Sequence, residues 1–201
     1  MKLILLRCPV CQEPLTPEET DLVYSCRNCY TPIHIGSSGP KPQPTQFAYP
    51  GESDAAATVA DGTWLPFWVY QGQIAIERRV SQGGSSAAQT EGMWGPQSAP
   101  AKRLLYVPAW NLSVTQAQML GSRLIQSQPT LRPLERPAQA QLIAAVVGPE
   151  DAEKLLEFIV LAIEARRPDM LKDLEFEMTL SKPQFWALPQ SMFPGTALPA
   201  S

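Results

Sequence analysis

The 201-residue sequence predicts an α+β protein built in two parts. Three observations carry that prediction. All four cysteines fall within the first 29 residues, as two C-x-x-C pairs. A proline-, glycine- and serine-rich stretch follows. Beyond it, short aromatic and β-branched runs alternate with two helical patterns, the order expected of one mainly antiparallel sheet with two helices packed on it.

The first part spans residues 1–36. Cys8-Pro-Val-Cys11 and Cys26-Arg-Asn-Cys29 are separated by fourteen residues. Two residues between cysteines let both thiolates of a pair turn toward one ion, and the intervening stretch is long enough to bring the second pair opposite the first. Asp21–Cys26 reads as a strand entering the second pair and Thr31–Ile35 as the strand leaving it, with Lys2–Arg7 leading into the first. The arrangement resembles a zinc ribbon, a three-stranded sheet stapled by one ion. Cys8, Cys11, Cys26 and Cys29 are therefore the expected ligands of a single structural Zn²⁺. Iron, a pair of disulfides and thioredoxin-like redox chemistry are the rival readings. Iron sites of this kind keep a longer gap, disulfides need an oxidising compartment, and the redox motif needs a βαβ context. Four thiolates also leave no open coordination position for a catalytic water. His34 reads as a polar residue on the last ribbon strand rather than as a ligand. A segment of this size sits below the roughly 40 residues at which a chain folds unaided, so the ion is expected to be a folding requirement.

Residues 37–63 read as a linker, extended where Pro40, Pro42 and Pro44 alternate. The second part is expected over 64–190. Trp64–Tyr70 continues past Gly72 into Gln73–Val80, one long strand or a bent pair with a bulge at Gly72. Residues 81–101 read as a mobile loop, followed by a strand over Arg103–Leu112. Ser113 and Gln116 form a capping box for a helix whose face is Ala117, Leu120, Gly121 and Leu124, ended by Pro129. Gln141–Val147 reads as a buried strand. Pro149 opens a second helix to about Arg167, with Glu150, Asp151 and Glu153 at its positive end. Its second apolar side, Phe158, Leu161 and Ala162, is expected to find cover within the chain. Leu174–Leu180 alternates as a strand, and Ser181-Lys-Pro183 is expected to turn it into a hairpin with Gln184–Leu188. Residues 191–201 read as an irregular tail.

Leu65-Pro-Phe-Trp68 and Val107-Pro-Ala-Trp110 echo one another. Together with the ribbon they resemble a group of bacterial zinc-ribbon proteins of unknown function, in which a cysteine knuckle pair precedes a domain with a Leu-Pro-Phe/Tyr-Trp strand and a Val-Pro-Ala strand. The resemblance implies a zinc-bound N-terminal module and carries no activity with it. The five tryptophans (64, 68, 94, 110 and 186) are expected mostly in the core rather than on a peptide-binding platform.

The function classes narrow accordingly. With 16 Lys and Arg against 19 Asp and Glu, the chain is not a generally basic nucleic-acid binder. The ribbon itself is net acidic: Lys2, Arg7 and Arg27 face Glu13, Glu18, Glu19 and Asp21. A nucleic-acid role is the alternative reading, and it would need Arg78, Arg79, Lys102 and Arg103 to form a basic patch. One histidine, with no nucleophile elbow, phosphate loop or dinucleotide fingerprint, argues against an enzyme. The apolar stretch of Met1–Arg7 is too short for a signal peptide, and no run could span a bilayer. The sequence thus points to a cytoplasmic, non-catalytic zinc protein serving as an interaction adaptor or assembly subunit, with protein partners and no membrane insertion.

Overall fold

The computed structural model describes residues 6–51, 62–83, 92–96 and 98–196. It is mixed α+β, with a three-stranded sheet beside the cysteines and a seven-stranded sheet carrying two helices. The small sheet is β1 (Val23–Ser25), β2 (Pro32–Gly36) and β3 (Gly39–Pro42), all antiparallel. The large sheet contains β4 (Gln46–Pro50), β5 (Thr63–Gln82), β6 (Arg103–Pro108), β7 (Leu131–Leu134), β8 (Gln141–Leu142), β9 (Met170–Leu180) and β10 (Gln184–Pro189). Its main path runs β6-β5-β10-β4-β7, and β8 and β9 pair with further lengths of β5. Helices α1 (Val114–Ser127) and α2 (Pro149–Ala165) pack on each other and on β6.

Two strands occupy the stretch read as a linker. β3 completes the small sheet and β4 joins the large one beside β10 and β7. The alternating prolines at 40, 42 and 44 suggested an unpaired extended chain. Extension there serves pairing instead, because β3 is an edge strand and Pro42 and Pro50 lie at strand ends, where a missing N–H costs no ladder bond. Residues 52–61 lie outside the described residues, as do residues 1–5 of the expected leading strand. From that leading strand Arg7 makes a single bridge to Pro14.

β5 is one strand of twenty residues, with no bulge at Gly72. Gly72 is instead a point of close approach: a Cβ there would lie 2.9 Å from the Thr179 carbonyl oxygen and 2.8 Å from Leu180 Cδ2. β9 and β10 do not pair as a hairpin. They lie end to end along the same edge of β5, Leu180 against Gly72 and Gln184 against Val69. Between them, Ser181 donates its N–H to the Gln71 carbonyl (2.9 Å) and its hydroxyl accepts the Gln71 N–H (3.0 Å), which closes the gap in the ladder.

The two proline motifs pair with each other. Phe67 opposes Pro108 and Trp68 opposes Val107, and Ala109 donates to the Pro66 carbonyl at 3.0 Å. Pro66 has no N–H to return to the Ala109 carbonyl. That carbonyl accepts from Val146 (2.8 Å) and Val147 (3.0 Å) instead. The Trp68 indole then donates to the Val147 carbonyl at 2.8 Å. The 143–147 segment, expected as a strand, is held in an irregular path by these bonds, and only Gln141–Leu142 runs as a strand, parallel to β5. Four of the tryptophans (64, 68, 94 and 110) are buried in the main core.

α1 begins at the expected capping box, with the Gln116 N–H donating to Ser113 Oγ and the Gln116 side chain accepting the Ser113 N–H. Its Gly121 lets it approach the sheet, since a Cβ there would lie 2.5 Å from Ile159 Cδ1 on α2 and 2.9 Å from the Tyr106 carbonyl oxygen. Gln128, at the C-cap, reaches back to β6: its side-chain oxygen accepts the Leu104 N–H and its amide donates to the Leu104 carbonyl, at 3.0 and 2.9 Å. A side-chain amide thus substitutes for a neighbouring strand on an exposed edge. On α2, Phe158 and Leu161 are exposed (51% and 42%), contrary to the expected cover, because α1 and the sheet occupy only the Ala152–Leu156–Ile159–Ile163 side.

The far half of β5 pairs only with β9. Between Ile76 and Arg78 a bulge at Glu77 inserts an extra residue against Phe176–Glu175 and reverses the alternation of side chains. Arg78 consequently faces Asp173 and Glu175, and Arg79 turns toward the end of α2. There Arg79 binds Glu164 (2.7 Å) and Asp169 (2.5 Å), all three side chains at most 7% exposed, and the Trp94 indole donates to Glu164 at 3.0 Å. Arg167 meets the same Glu164 carboxylate. Trp94 is therefore anchored rather than part of a mobile loop, and residues 84–91 of that loop lie outside the described residues. Of the four cations that a nucleic-acid role would need as a patch, Arg78 and Arg79 are both paired with carboxylates. The region read as a tail carries a short 3₁₀ turn (Gln190–Met192), then Phe193, buried with its ring centroid 5.5 Å from Phe67. Its last residues, 197–201, lie outside the described residues.

Removing one member of a buried ion pair leaves the others uncompensated, so Arg79→Ala should lose about 3–5 kcal/mol of stability in urea unfolding, whereas Arg78→Ala at the exposed pair should lose little. Hydrogen bonds from Arg79, and then from Ser81, hold the Asp169 carboxyl well below the usual carboxylate range. Its contribution is complete above the unfolded value near ~3.9 and is lost as pH falls from there toward the lowered value. Stability measured from pH 6 downward should fall over that acid window, and Asp169→Asn should flatten the fall.

Candidate metal centre

The two C-x-x-C segments fold into matching knuckles. In the first, the Cys8 N–H donates to the Glu13 carbonyl (2.9 Å) and the Gln12 N–H to the Cys8 carbonyl (2.9 Å). In the second, the Cys26 N–H donates to Thr31 (3.0 Å) and the Tyr30 N–H to Cys26 (2.8 Å). Each turn closes with a left-handed residue just after its second cysteine, Gln12 at φ 65° and Tyr30 at φ 55°. Neither residue type favours that conformation, so no sequence signal marks these positions. Val10, at the first tip, donates its N–H to Cys8 Sγ at 3.4 Å and leaves its side chain 56% exposed.

The knuckles face one another. Cys8 Sγ lies 3.7 Å from Cys29 Sγ, Cys11 Sγ lies 3.6 Å from Cys26 Sγ, and all four sulfurs are within 4.8 Å of one another. A disulfide would bring two sulfurs to about 2.05 Å. A tetrahedral ion with metal–sulfur bonds of about 2.3 Å would separate its ligands by about 3.8 Å, close to both cross-knuckle distances. The four cysteines named from the sequence are thus brought together in a geometry that can hold one metal ion. His34 is exposed on β2 opposite Lys41 and takes no part.

Left as thiols, Cys8, Cys11 and Cys26 would not ionise alike. Burial pushes Cys8 up to about 12 and raises Cys26 as well. Cys11 is drawn down to about 6, first by the backbone N–H of Glu13 and then by the Asn28 side chain. A divalent cation among them supplies the charge that lets the buried pair exist as thiolates. Beyond the sulfurs, the module's core is small: Leu15 and Ile33 are buried with Cys8 and Cys26, and Leu6, Tyr24 and Ile35 pack around them.

Contacts absent from any motif tie the centre to the large sheet. Leu22 and Val23 donate to the Ala145 carbonyl (2.8 and 3.1 Å), and Ala145 returns its N–H to Val23 (2.9 Å). Val23 is buried in the main core. Arg136 donates to the Cys29 carbonyl at 2.5 Å. Among the described residues, no helix is long and apolar enough to cross a membrane. The chain matches no family model, no curated protein and no solved structure.

All five tryptophans lie outside the ribbon, while Tyr24 and Tyr30 lie within it. Strong chelation should therefore change tyrosine signals and far-ultraviolet dichroism while leaving tryptophan emission nearly unshifted. A parallel tryptophan shift would mean that the main sheet melts with the ribbon.

Proposed function

We propose that this chain is a non-catalytic zinc protein acting as a protein-interaction adaptor or an assembly subunit. The observation that carries the reading is the four-sulfur cluster at tetrahedral spacing, with no fifth ligand candidate among the described residues. All-thiolate coordination favours Zn²⁺, and a site closed by four protein ligands serves structure rather than catalysis. Zinc held this way contributes about 10–16 kcal/mol of apparent binding free energy in comparable small modules, enough to hold together a core as slight as this one. Thiolate ligation also suits the reducing cytosol, where we place the protein. Protein partners are supported by the exposed Phe158 and Leu161 on α2, with Met119 on α1 exposed as well.

Elemental analysis of freshly purified protein should give one zinc per chain, and Cys26→Ser should lower that stoichiometry sharply. Affinity purification at native abundance should recover a protein partner in stoichiometric amount. Recovery of nucleic acid instead, lost on raising salt, would overturn the adaptor reading.

A further inference from the structure

The ribbon and the large sheet part company just beyond the bridge between Val23 and Ala145. From that vertex β1 continues through Tyr24 and Ser25 while the opposing segment runs back from Ala144 to Gln141, and between the two walls lies a cleft of about 480 Å³. The register of β1 on β2 decides what the cleft presents. Ile35 donates to the Leu22 carbonyl and Cys26 donates to the Thr31 carbonyl, so residues 22, 24 and 26 direct their backbone groups to β2. Val23 and Ser25 direct theirs to the opposite edge. Val23 spends both on Ala145. Ser25 opposes Pro32 as a non-hydrogen-bonded pair, and the Ser25 amide and carbonyl take no partner among the described residues. They point into the cleft.

The charge of the cleft is also uncompensated. Glu18 and Asp21 both line it, and Asp21 is only 8% exposed, its carboxylate accepting the Glu18 N–H at 2.8 Å. No ion pair engages either carboxylate among the described residues. Arg27 lines the same cleft without pairing with them, which leaves an excess of one negative charge.

We propose that this cleft docks an extended peptide segment of a partner protein, added as a strand against Ser25 and carrying a cationic side chain for Glu18 and Asp21. Main-chain bonds would supply affinity and the carboxylates selectivity, the division of labour usual in strand addition. The inference rests on the adaptor reading and gives that reading a place and a partner chemistry.

The test uses the full, metal-loaded chain and two capped hexapeptides, one alternating valine and lysine and the other valine and glutamate, followed by titration calorimetry. The lysine peptide should bind, more weakly as salt rises, and the glutamate peptide should not. Ser25→Pro removes the N–H facing the cleft and spares the bonds to β2, so it should weaken binding by about tenfold, while Ser25→Ala should bind like the parent chain. Zinc content checks that the proline variant stays folded. Glu18→Arg, at an exposed position, is the second variant and should abolish binding of the lysine peptide. Absence of lysine-peptide binding, or equal affinity in the parent chain and in Glu18→Arg, overturns the proposal, as does equal affinity in a zinc-loaded Ser25→Pro. A stoichiometric partner that still binds both variants would remove the cleft and keep the adaptor role. Peptide binding with no partner recovered from cells would do the reverse.

Discussion

Twenty consecutive residues of β5 hydrogen-bond to four other strands, and the molecule is organised by which stretch of β5 each of them takes. Its first half lies between β6 and β10, with β8 at its start, and its second half pairs with β9 alone. The changeover falls at Gly72, where the backbone of β9 comes too close for any side chain. Beyond it the bulge at Glu77 turns Arg79 inward. A buried cluster of Arg79, Glu164 and Asp169 then fixes the protruding half of the strand to the end of α2. Apolar contacts are sparse along that stretch, where Val80 and Met170 are exposed. Charge pairing in a dry pocket takes over the role that side-chain packing has nearer the core.

A missing donor links the sheet to the cysteine module. Pro66 leaves the Ala109 carbonyl free, the carbonyl gathers in Val146 and Val147, and the neighbouring Ala145 then meets Leu22 and Val23 of the ribbon. Each step is an ordinary hydrogen bond worth about 1 kcal/mol net. Their sequence matters more than their sum, because it places the start of β1 in the main core while the sulfur cluster keeps a separate, smaller core of its own. The ribbon is thus anchored through Val23 at one end, and at the other it is held by its own cysteines and by Arg136 on the Cys29 carbonyl. The cleft opens between these two attachments.

Several elements were legible from residue pattern alone. The cysteine spacing identified the four sulfurs that converge, the Ser113–Gln116 box marked the start of α1, and Pro149 marked the start of α2. These are signals in which cause and effect lie within a few residues. The echo between Leu65–Trp68 and Val107–Trp110 was visible too, but not its meaning, since nothing local says that two similar motifs forty residues apart will oppose each other across a ladder. The same blindness applies to β9 and β10. A strand, a three-residue break and another strand describe a hairpin as well as they describe two lengths laid along one long neighbour, and only the existence of an unbroken β5 selects the second.

What the sequence determined by itself was therefore the chemistry that is short in range: four cysteines that converge, the helix caps, and an α+β alternation. Tertiary structure decided the rest, because long-range pairing depends on backbone groups that every residue carries alike. It recruited β3 and β4 from a stretch whose prolines suggested a linker, buried Trp94 against Glu164, and left Phe158 and Leu161 without cover. It also set the register that turns the Ser25 backbone away from β2, so that one N–H and one carbonyl of an otherwise satisfied strand face an open cleft. Side-chain identity records where such a group is absent, as at Pro66, but the partner that the absence releases is known only once the strands are in register.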